Sequence, residues 1–153
     1  KGPDHVDQVT FDSLLWKRLQ SLADLDAKKF SYDQRVDSDP SASDFSFSLG
    51  EEAFFVIGMH PGNPRPARRF KYPAIVFNPH VQFEEMRKAN RYEKLKKIVR
   101  RRDLQYSGSI NPMLTDFGER SEVYQYSGNK YDDDWKCPLH ITHARSKHNS
   151  TEE

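Results

Sequence analysis

The chain has 153 residues, 35% hydrophobic and 12% aromatic, which suits one domain with a modest core. Its 24 basic and 23 acidic side chains leave a formal net charge of +1, which excludes a global field drawing it to nucleic acid or anionic membrane. No apolar stretch approaches the roughly 20 residues needed to cross a bilayer, no signal-peptide core opens the chain, and a single cysteine, Cys137, excludes an intrachain disulfide; the sequence reads as soluble and cytoplasmic.

In chain order, Phe11, Leu14, Leu15, Leu19, Leu22 and Leu25 recur at helical spacing, predicting an amphipathic helix capped by Thr10 with Asp12 in its first turn. Residues 31–43 turn to Asp, Ser and Pro, the composition of a surface connection. Phe45, Phe47 and Leu49 alternate with serines before Gly50, and Ala53 to Ile57 then forms an apolar run that fits a buried strand. Tyr72 to Phe77 is a second run, so Ala53–Ile57 and Ala74–Phe77 are expected to pair. The loop between them holds Arg65, Arg68, Arg69 and His60 among prolines and glycines, a rigid frame for presenting side chains.

Asn78–Pro79 reads as an N-cap and first position of a helix through Phe83, Met86, Leu95, Ile98 and Val99, with His80 in its first turn. From Tyr106 to Trp135 turn-forming residues dominate, with a short strand expected at Val123 to Tyr126. The tail beyond His140 is polar and expected to fray. The expected fold is α+β, a small, mainly antiparallel sheet flanked by helices, with an irregular C-terminal section; residues 1–143 form one domain and 144–153 a polar tail.

Several side chains carry possible chemistry. His60 and His80 each follow a predicted strand, so their imidazoles could meet at one sheet end and bind a metal or haem iron, or each could merely cap an element. Arg65, Arg68 and Arg69 suit carboxylates or phosphates, or surface ion pairs. Glu51 and Glu52 precede the buried strand and could hold a cationic guanidinium, or point to solvent. Arg91 to Arg102 is a basic helical stretch that could contact nucleic-acid phosphates or form a solvated face. Cys137 fits a packed thiol better than a nucleophile, because His140 alone does not make a catalytic pairing.

Taken together, Ser48 to Pro61, Ala67-Arg68-Arg69-Phe70 and Pro73 to Glu84, with Cys137-Pro138 after Trp135, resemble the YqcI/YcgG (FPC/CPF-motif) family over about Phe11 to His140. Leu139 stands where the CPF element has phenylalanine, and the FPC element is not in the sequence, so an N-terminally truncated member is expected. The best-understood members of that family resemble haem enzymes that hydroxylate a guanidine nitrogen, including the guanitoxin-pathway N-hydroxylase. The resemblance therefore implies haem, dioxygen and an external electron donor, with an arginine-like small molecule as substrate. By this analogy His60 or His80 is the axial ligand to iron, Arg68 and Arg69 hold haem propionates, and Glu51 or Glu52 orients the guanidinium. The alternatives are a non-catalytic haem- or ligand-binding protein and a nucleic-acid-associated module using the basic helix; self-association is compatible with each.

Overall fold

The computed structural model describes residues 6–110, 116 and 118–144. Helix α1 spans Gln8–Asp26, and its N-cap is Asp7, whose carboxylate accepts from the Thr10 amide at 2.7 Å. Thr10 therefore lies inside the first turn instead of capping it, because the charged acceptor three residues earlier satisfies the end of the helix. Phe11, Leu15, Trp16, Leu19 and Ala23 form its buried face, whereas Leu14 and Leu25 are exposed.

Strands β1 (Phe47–Leu49), β2 (Glu52–Met59) and β3 (Ala74–Pro79) make an antiparallel sheet in the order β1-β2-β3. The expected pairing of the two apolar runs is present, with Val56 opposite Phe77 and Ile57 opposite Val76. Gly50 (φ 58°) and Glu51 (φ 67°) form the two-residue turn between β1 and β2. Positive φ at both positions matches the right-handed twist of the strands, and Glu51 carries the steric cost that glycine escapes.

Asn78 continues β3, opposite Phe55, instead of capping a helix. The proline after it disfavours the helical region for Asn78, so the strand runs on to Pro79 and α2 (His80–Lys88) starts one residue later than expected. The single long helix expected here is two, α2 and α3 (Tyr92–Ser107), separated at Asn90, which is left-handed at φ 55°. Val123–Tyr126 is one helical turn, α4, and not a strand. Three-residue helical spacing puts both Val123 and Tyr126 in the core, whereas strand alternation would send them to opposite faces.

Phe45, Phe47 and Val56 meet the buried face of α1 together with Val123, Tyr126 and Leu139. The chain after His140 does not fray at once: His143 is buried, its Nε2 2.9 Å from Asp26 at the end of α1, and Asp26 also accepts from the Gly50 amide. A local polarity reading misses this partner because it lies 117 residues away.

Candidate functional site

Antiparallel pairing separates the two histidines. Phe54 lies opposite Pro79 and Met59 opposite Ala74, so the C-terminal ends of β2 and β3 are at opposite ends of the sheet. His60, after β2, and His80, after β3, do not meet.

His60 is fully buried and stacked on Phe11 at 4.4 Å, with Nε2 2.8 Å from the side-chain oxygen of Gln8. Burial holds its pKa below the usual histidine range, outweighing the Val6 carbonyl and Asp7, and so favours the neutral imidazole. Gln8 also accepts from Asn63 Nδ2 at 3.1 Å, so this end of the sheet is a packed polar knot.

The arginines of the loop fasten backbone. Arg68 is buried and donates to the carbonyls of Gln125 at 2.8 Å, Gly58 at 3.3 Å and Tyr126 at 3.4 Å, which ties α4 to β2. Burial first, then Arg65, lower its pKa to about 10, with Asp103 opposing, so the guanidinium remains charged at neutral pH. Arg69 donates to the carbonyls of Asn63 at 2.7 Å and Pro64 at 3.3 Å. Arg65 pairs with Asp103 of α3 at 2.5 Å. Glu51 sits in the β1–β2 turn, and Glu52 pairs with Arg35 at 3.0 Å; Arg35 in turn is held by Asp33 at 2.6 Å.

Around His80 the structure gathers charged and apolar side chains. A cavity of about 300 Å³ lies between the sheet and α3. Its sheet wall is Phe55 and Ile57, alternate residues of β2, with Asn78 opposite Phe55; α2 contributes Phe83 and Arg87, and α3 contributes Leu95, Lys96, Val99 and Arg100. Asp116, Arg120, Glu122 and Gln125 close the remaining side. At its base His80 Nε2 is 3.1 Å from Glu122 Oε1, and both groups are buried. The same carboxylate oxygen accepts from the Tyr126 hydroxyl at 3.4 Å, so Glu122 is held by the core and fixes the imidazole in turn.

Lys96 and Arg100 of the basic stretch reach this cavity and pair with Asp116 at 2.5 and 3.7 Å, so the stretch is not a single solvated face. None of the 16 residues of α3 is buried, and Leu95 and Val99 are 37% and 52% exposed although both line the cavity. The helix therefore spans the cavity without filling it. Sequence reasoning missed Arg87, Asp116, Arg120 and Glu122; the one local signal was an acidic residue, Glu122, set directly against the aromatic-rich Val123-Tyr124-Gln125-Tyr126.

Cys137 is partly buried, and burial raises its thiol pKa to about 12, against the Leu139 amide, as suits a packed thiol. Among the described residues no group of three or more His, Cys, Asp or Glu side chains could hold a metal ion, and no helix is long and apolar enough to cross a membrane.

One curated relative, "Uncharacterized protein YcgG" of Bacillus subtilis (strain 168), is 24% identical over 128 residues, which cover 80% of this chain and 50% of the relative; the chain spans about half the length of the curated relative it matches. No solved structure matches the chain. The family match extends over residues 1–140, and with it the chain belongs to the YqcI/YcgG family.

Proposed function

We propose that the cavity beside His80 is the site of a haem-dependent monooxygenase that hydroxylates a guanidine or amine nitrogen of an arginine-like molecule. The observation that carries this reading is the buried His80–Glu122 pair in a cavity lined both by apolar side chains and by Arg87, Lys96, Arg100 and Arg120. In kind, these residues would suit haem: the His80 imidazole, held through Nε2 by Glu122, would ligate iron through its other ring nitrogen, Phe55, Ile57, Leu95 and Val99 would face the macrocycle, and the guanidinium groups of Arg87, Arg100 and Arg120 would hold propionates. At about 300 Å³ the cavity is at the small end of ligand sites, which run from about 300 to 1,000 Å³. Haem entry therefore requires α3, the wall with no buried residue, to move outward.

When bound, haem would supply the activation of dioxygen, with electrons from an external donor. Within this reading the protein's own residues bind and orient. Glu122 keeps the His80 imidazole in one orientation, Phe55 and Ile57 offer an apolar wall to the ligand, and Asp116 offers a carboxylate already paired with cationic side chains, which a substrate guanidinium can displace.

Haem titration followed by absorption spectroscopy tests the site. His80→Ala is expected to abolish or shift the Soret band and His60→Ala to leave it, after which oxygen consumption with an arginine-like compound tests turnover. Identical spectra for both variants and the parent would sink the assignment of His80. A Soret band without turnover would favour a binding protein.

A further inference from the structure

Behind the cavity wall, aromatic rings form an unbroken series. The Tyr126 ring is fully buried and 6.1 Å from Phe55, which lines the cavity. Trp16 stacks on Tyr126 at 6.1 Å, Trp135 lies 5.6 Å from Trp16, and Tyr131 stacks on Trp135 at 3.7 Å with the planes 13° apart. Trp135 lines a second cleft of about 590 Å³ at the surface. Phenol and indole rings thus lead from one hollow to the other.

Packing accounts for touching rings, and burial requires partners for their polar ends; what is informative here is that those partners include carboxylates. The Tyr131 hydroxyl donates to Asp12 Oδ1 and is 2.7 Å from Ser127 Oγ. Trp16 Nε1 is 3.2 Å from the same Asp12 oxygen and 3.2 Å from the Tyr131 hydroxyl. The Tyr126 hydroxyl faces Glu122. Each of these three rings therefore has a carboxylate at or next to its ionisable hydrogen. Burial first, then Asp12, raise the Tyr131 phenol well above the usual tyrosine range, so it stays protonated until an electron is removed.

Indole and phenol are among the side chains most readily oxidised by one electron, and a phenol loses its electron far more easily when a base takes its proton. We propose that Tyr126, Trp16, Trp135 and Tyr131 form a hole-transfer path between the cavity and the surface cleft, with Tyr131 as the resting site and Asp12 as its proton acceptor. A one-electron oxidant in the cavity takes an electron from this series and is reduced. The vacancy passes through Trp16 and Trp135, and Tyr131 then supplies the electron. Its O–H bond breaks, the proton goes to the Asp12 carboxylate, and a neutral phenoxyl radical remains beside a carboxylic acid. A one-electron reductant of the ascorbate class reaching the cleft beside Trp135 returns the electron, and Asp12 returns the proton. The source of the oxidant in the cell rests on the haem reading; the path does not, so its test uses no haem.

Leu95→Cys places a thiol at the cavity for a ruthenium polypyridyl label in the full chain, with Cys137→Ser removing the other thiol and Tyr92→Phe removing a tyrosine that lines the cavity. Flash excitation with a soluble electron acceptor then creates the oxidant there. A neutral tyrosyl radical is expected in transient absorption as the label recovers. Tyr131→Phe abolishes that radical, Trp16→Phe slows its appearance by an order of magnitude or more, and Asp12→Asn lowers its yield. Should Trp16→Phe fail to fold, Tyr131→Phe, which keeps the ring on Trp135, decides the matter alone. A radical unaltered by Tyr131→Phe overturns the proposal. Absence of haem binding alongside a Tyr131-dependent radical would remove the haem reading and leave the path standing.

Discussion

His80 Nε2 lies 3.1 Å from Glu122 Oε1 although 42 residues separate them, and both side chains are buried. Removing the carboxylate takes the Glu122 partner from Nε2 of a buried imidazole. Glu122→Ala is expected to cost about 2 kcal/mol in urea unfolding, the range of a charge-assisted hydrogen bond. Under the haem reading it also weakens haem binding, and Glu122→Gln, which keeps the shape, loses less stability. A Glu122→Ala protein as stable as the parent would mean that the pair is not formed in solution.

Arg68 joins three carbonyls of β2 and α4 from a buried position. Arg68→Met keeps much of the volume and strands those acceptors, so a loss of about 3 kcal/mol is expected in chemical denaturation. Arg68→Lys should not rescue it, because one ammonium cannot span the fork of donors. Full stability in the lysine variant would contradict the role given to the guanidinium.

Asp33 contributes a pH dependence of its own. Burial alone would raise its pKa, but the bonds from Arg35 and the Ala53 amide outweigh burial and hold it below the usual carboxylate range. The folded pKa is therefore lower than the unfolded value of about 3.9, so the contribution is fully present above that value and lost as pH falls through the folded pKa. Unfolding measured from pH 7 down to pH 2 should show the stability gap between the parent and Asp33→Asn closing below about pH 4. A gap constant with pH would show that Asp33 carries no such linkage.

Glu51 occupies a left-handed turn position outside the cavity lining. Glu51→Gly is expected to stabilise the protein by about 1 kcal/mol, by relieving the steric cost of a side chain at positive φ. Thermal unfolding measures this, and ligand binding should be unaffected. Loss of binding in this variant would restore Glu51 to the site.

Gly58 shows how tightly β2 meets α1. A Cβ there would sit 2.8 Å from the Phe11 ring and 3.0 Å from the Tyr126 carbonyl. Gly58→Ala should cost about 1–3 kcal/mol by overpacking, measured by urea unfolding. A neutral result would mean that Phe11 can swing away, and then the His60 stack would loosen with it.

Much of the fold was legible in the sequence. The spacing of Phe11, Leu15 and Leu19 located α1, and the apolar runs 53–57 and 74–77 located the paired strands. These are local signals, set by which face of an element must leave water. Val123 to Tyr126 misled because Val123, Tyr124 and Tyr126 have strand propensity while the positions of Val123 and Tyr126 in the core demand a helical turn.

The sequence by itself determined the class of the fold, its family and the residue types available for chemistry, since composition, periodicity and motif are carried along the chain. Only the tertiary structure decided which of those residues meet. Antiparallel pairing sent His60 and His80 to opposite ends of the sheet, and long-range packing brought Glu122 to His80 and Asp12 to Tyr131. Those contacts depend on how chain segments far apart in sequence are folded together, which no window along the sequence contains.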